Sequence, residues 1–208
     1  MNYAVVSITK HGIALAAKVV AALPGAQLFA PEKLRAEAEA AAPGAAHCYE
    51  GKVGDQIPAL FAAFDGIVAI VSLGAVVRLI APHLKNKEVD PAVVVIDEAG
   101  RFSIPVLSGH LGGANALAGL IADALGATPV LTTASDARQT LAVDLLGREL
   151  GWTFDASHDE IVRASAAMVN DEAVALVQET GCPDWCAEWS SPAFVACAAA
   201  PPQQPPAA

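Results

Sequence analysis

The sequence predicts an α/β fold: a mostly parallel sheet flanked by helices with one β-hairpin, plus a small α+β appendage. Short apolar runs alternate with segments of helical period along the first two thirds of the chain, the pattern of a covered parallel sheet. Of the 208 residues 54% are hydrophobic and only 5% aromatic, so the core is expected to consist of small aliphatics packed between helices and sheet. From about Arg138 the texture changes, and the segment to Cys197 is too short for an independent large core. The expected organisation is an N-terminal α/β domain over 1–138, a smaller central region over 139–197 and a disordered Pro/Gln/Ala tail over 198–208.

Tyr3 to Ile8 reads as a buried strand and Gly12 to Ala22 as a helix stopped by Pro24-Gly25, with Ser7, Thr9, Lys10, His11 and Gly12 in the loop between them. Gln27 to Ala30 is a short strand and Pro31 to Ala42 a charged helix. A linking stretch with Cys48 and Tyr49 leads to a helix from about Gly54 to Phe64. Ile67 to Ser72 is a continuous apolar run, as expected of a strand covered on both faces. Gly74 to Ala81 is a helix stopped by Pro82. Ala92 to Ile96 and Phe102 to Leu107 flank Asp97-Glu98-Ala99-Gly100 and read as a hairpin. A helix from Asn115 to Leu125 and a strand from Thr128 to Leu131 complete the first domain. Beyond it, Leu141 to Leu150 is expected to be a helix, Ser157 or Asp159 caps another to Met168, and Glu172 to Val177 alternates like a strand.

The composition excludes several classes. Net charge is −10, and the 12 basic residues are too few and dispersed for a nucleic-acid surface. Arg78, Lys85, Lys87 and Arg101 nevertheless fall within 24 residues, which allows a locally positive site. No apolar run reaches the roughly 18 to 20 residues that span a bilayer. The first residues enter a strand without a basic leader, so a cytoplasmic location is expected. Cys48, Cys182, Cys186 and Cys197 lack a second close pair or a nearby histidine, so thiols rather than a metal site are expected.

The feature that most needs a reason is Ser108-Gly109-His110-Leu111-Gly112-Gly113-Ala114-Asn115, between a strand and a helix. Three glycines let the backbone take positive φ and let a ligand approach closely. Amides at a helix start suit an anion or a developing oxyanion. His110 is a candidate proton carrier, while Arg78, Lys85 and Lys87 suit carboxylates. Bland readings stand beside these. Ser108 serves equally as a turn or capping hydroxyl, His110 as a loop hydrogen-bonder, and Thr132, Thr133 and Asp136 as a helix cap. The loops after Ile8, Ser72, Leu107 and Leu131 are expected to meet in one crevice at strand carboxyl ends.

Lys87, then Asp90 to Gly100, then Ser108 to Asn115, then Thr132-Thr133-Ala134-Ser135-Asp136, in this order, resemble the N-terminal region of the cobalt-precorrin-5A hydrolases of cobalamin biosynthesis. The likeness runs from about Val5 through Asp136 and extends more weakly to about Val195. It implies opening of a δ-lactone on a cobalt-bearing corrinoid, with release of a two-carbon fragment as acetaldehyde. That chemistry needs a carbonyl polariser, an activated water and a proton shuttle. With it, His110 and Asp136 are the catalytic candidates. Arg78, Lys85, Lys87, Ser108, Gly109, Gly112, Gly113, Asn115, Thr132 and Thr133 are the substrate-binding candidates. No cofactor of its own is implied, since the cobalt arrives with the substrate. The family pattern continues into a further C-terminal domain, so a separately encoded partner, neighbouring pathway enzymes and a homo-oligomer are the expected associations.

Two other readings compete. One is a non-catalytic module that binds or delivers corrinoid intermediates. The other is a nucleotide or phosphate binder, against which neither a Walker A sequence nor G-x-G-x-x-G occurs at residues 108–115.

Overall fold

The computed structural model describes residues 1–86, 89–138, 140–147, 150–153, 155–178 and 194–198. The chain forms two units, Met1–Leu131 and Thr132–Ala208, so the loop after the last strand of the sheet falls in the second unit, earlier than the boundary at 138 that the sequence suggests.

In the first unit, strands β1 (Tyr3–Ser7), β2 (Gln27–Pro31), β3 (Ala46–Tyr49), β4 (Gly66–Ile70), β5 (Ala92–Ile96), β6 (Phe102–Leu107) and β7 (Thr128–Pro129) form one sheet, in the order β3-β2-β1-β4-β5-β6-β7. Helices α1 (Lys10–Ala22), α2 (Arg35–Ala41), α3 (Val53–Ala63), α4 (Leu73–Ile80) and α5 (Ala114–Leu125) flank it. The chain winds outward from β1 to β3, then crosses to β4 and β5 on the other side of β1. This places the topological switch between β1 and β4.

Strand periodicity splits the core into two layers. Val5, Val68 and Val94 face one side with Ile13 and Val19 of α1 and Leu117 and Ile121 of α5. Val6, Ile67, Val93 and Val95 face the other with Ile57 and Leu60 of α3 and Val76 and Ile80 of α4. β4 and β5 are buried at every position, which explains their unbroken apolar sequence.

The predicted hairpin is present. β5 and β6 pair antiparallel, with an irregular register between Val93 and Val94. Asp97 closes its turn, accepting the Arg101 and Phe102 amides at 2.7 Å each, while Gly100 takes φ +67°.

Three expectations change. Residues 46–49 form an edge strand parallel to β2, not a linking stretch; their sequence, Ala-His-Cys-Tyr, is only half covered and carries little strand signal. β7 stops at Pro129, although the Val130 amide still donates to the Ser103 carbonyl of β6 at 2.9 Å. The helix expected over Leu141–Leu150 is absent from the described residues there. A 3-10 turn over Val143–Leu145 runs instead into Gly147, whose φ of +68° ends helical winding.

The second unit has its own elements: α6 (Ala134–Arg138), α7 (His158–Val169) and the parallel pair β8 (Val174–Gln178) and β9 (Phe194–Ala198). Ser157 caps α7, its Oγ accepting the Glu160 amide while Glu160 accepts the Ser157 amide at 2.8 Å. An ion pair joins Arg138 to Asp171. Cys182, Cys186 and the tail beyond Ala198 lie outside the described residues.

Candidate functional site

Strand direction decides what the loops can reach. β1, β4 and β5 are mutually parallel, but β6 runs antiparallel to β5. The turn after Leu107 therefore emerges where the parallel strands begin, opposite the loops after Ile8 and Ser72. The single crevice expected from sequence is divided between the two ends of the sheet.

At the amino end, the glycine turn is held from within. The Ser108 hydroxyl donates to the Asp90 carbonyl at 2.9 Å, and Ser108 itself takes a left-handed φ of +56°. The Asp90 carboxylate accepts the Lys85 amide at 3.0 and 3.1 Å. The Gly113 amide donates to the His110 carbonyl at 2.9 Å, the Ala114 amide to Ser108 at 3.1 Å and the Asn115 amide to Gly109 at 2.9 Å. Of the amides near Gly112 and Gly113 that the sequence offers to an oxyanion, the Gly113 amide is taken up by the turn's own carbonyl. The glycines have different reasons. A Cβ on Gly112 would stand 2.3 Å from the Ser108 Cβ, and one on Gly109 2.9 Å from Asn115 Oδ1. Gly113 needs its φ of +83° to start α5.

The result is an internally bonded turn in which His110 is half-buried and the next two residues, Leu111 and Gly112, line a cavity of about 410 Å³. Asp65 and Asp90 line the same cavity. Asp90, Lys85, Ser108, Gly109, His110, Gly112, Gly113 and Asn115 thus belong to one locality.

Of the other candidates, Arg78 is elsewhere in the first unit. Arg78 Nη1 donates to the Gly74 carbonyl at 2.9 Å, one turn back in α4 and toward the carboxyl end of β4. Thr132, Thr133 and Asp136 belong to the second unit. There the Thr133 hydroxyl donates to the Asp136 carboxylate at the start of α6. Lys87 lies outside the described residues.

The carboxyl end has its own organisation. Thr9 caps α1, accepting the Gly12 amide at 3.0 Å and donating to the Glu98 carboxylate. Lys10 pairs with Glu37 at 3.3 Å. A second cavity, about 610 Å³, opens among the ends of β1, β2 and β3 and the start of α3. Sequence reading passed over its Tyr49, Gly51, Lys52 and Gly54. The available signal was a tyrosine followed by glycines and a helix start, hidden because β3 was taken for a linker.

Comparison with known proteins gives the family. Residues 55–136 match the model described as Cobalamin synthesis G N-terminal, and residues 141–188 match the Cobalamin biosynthesis central region. The chain is 44% identical over 184 residues to the cobalt-precorrin-5A hydrolase of Priestia megaterium, which covers 88% of this chain and 48% of that relative. It is 36% identical over 175 residues to the cobalt-precorrin-5A hydrolase of Salmonella typhimurium, covering 84% and 48%. A solved cobalamin biosynthesis protein G homolog from Sulfolobus solfataricus aligns over 86% of this chain and 49% of its own, with 22% identity and a TM-score of 0.48. The chain spans about half the length of the curated relatives it matches. The protein belongs to the cobalamin synthesis G family, of which it carries the N-terminal and central regions.

Proposed function

We propose that this chain works in cobalamin biosynthesis as a cobalt-precorrin-5A hydrolase, opening the substrate's lactone and releasing acetaldehyde to leave cobalt-precorrin-5B. The observation that carries this reading is the 44% identity to the Priestia megaterium cobalt-precorrin-5A hydrolase over 88% of the chain. The substrate brings the cobalt, and the protein's task is to hold an acidic macrocycle and move protons.

In this reading His110 is the proton carrier, fixed by a turn that spends its own amides on rigidity. Asp136, in the second unit, is the acidic candidate. Lys85 and Lys87 meet carboxylate arms, while Arg78, toward the carboxyl end of β4, stands apart from Lys85. Ser108, Gly109, Gly112, Gly113 and Asn115 shape the wall, and Thr132 and Thr133 are further candidates for substrate contact. A cytoplasmic setting fits this role, and no described helix is long and apolar enough to cross a membrane.

The test is acetaldehyde release from cobalt-precorrin-5A. It is measured for this chain alone and with the remaining portion of a full-length relative added as a separate polypeptide. Release in either arrangement is the expected result. A spectral shift of the corrinoid on binding, with no acetaldehyde in both arrangements, replaces the hydrolase by a binding or delivery module.

A further inference from the structure

We draw no further inference here: the strongest candidate, the exposed apolar flank that Leu73 and Val77 present on α4, carries none because nothing among the described residues shows what covers it.

Discussion

The Ser108 hydroxyl donates to the Asp90 carbonyl at 2.9 Å, tying a left-handed turn to a residue two positions before β5 and eighteen positions earlier in the chain. Because Asp90 also accepts the Lys85 amide, one carboxylate and one carbonyl organise the amino end of the sheet. S108A should lower unfolding free energy by about 1 kcal/mol, or about 2–4 °C in Tm. S108G loses the same bond but relieves the left-handed φ, so it should be at least as stable as S108A. Thermal unfolding of the pair checks the order.

The glycines divide by what surrounds them. In G112A the new methyl meets Ser108 Cβ at 2.3 Å and the Ser108 carbonyl at 2.8 Å, so the turn must open, at a cost of about 1–3 kcal/mol. Gly119, inside α5, has nothing within 4 Å of an added Cβ, and G119A should gain about 0.5–1 kcal/mol. Urea unfolding of the two variants should move in opposite directions.

Asp97 makes the hairpin sensitive to acid. Burial raises its pKa, but hydrogen bonds from the Phe102 and Arg101 amides and the Arg101 side chain outweigh this and hold it below the usual 3.8. A depressed folded-state pKa contributes stability that is complete above the usual value and is lost as pH falls through the folded one. D97N should therefore be about 1–3 kcal/mol less stable than the parent at pH 7, with the gap closing below pH 3.8. Unfolding curves across an acid series measure it.

His110 carries the kinetic prediction. Under the proposed function, H110A should lose about 10²–10⁴-fold in kcat for acetaldehyde release, with a small change in KM. An unchanged kcat, with circular dichroism matching the parent, removes His110 from the proton path.

Much of this fold is legible in the residues. The apolar runs 67–70 and 92–96 announce themselves because strands covered on both faces tolerate nothing polar. The Asp97–Gly100 turn is legible because a side-chain acceptor and a positive-φ glycine are chemical requirements of the turn itself. β3 was hidden because an edge strand is half exposed and needs no β-branched run. The false helix at 141–150 came from apolar spacing that ignored Gly147, whose Cα packs against the Trp152 ring.

By itself the sequence determined the α/β class, the hairpin, the glycine turn and the family resemblance, all of which rest on local chemistry and order along the chain. Only the tertiary structure decided which loops share an end of the sheet. An antiparallel β6 sends the His110 turn away from the carboxyl ends of β1 and β4, and a parallel β3 brings Tyr49 to them. Strand direction is set by pairing between distant segments, so no single stretch of residues encodes it.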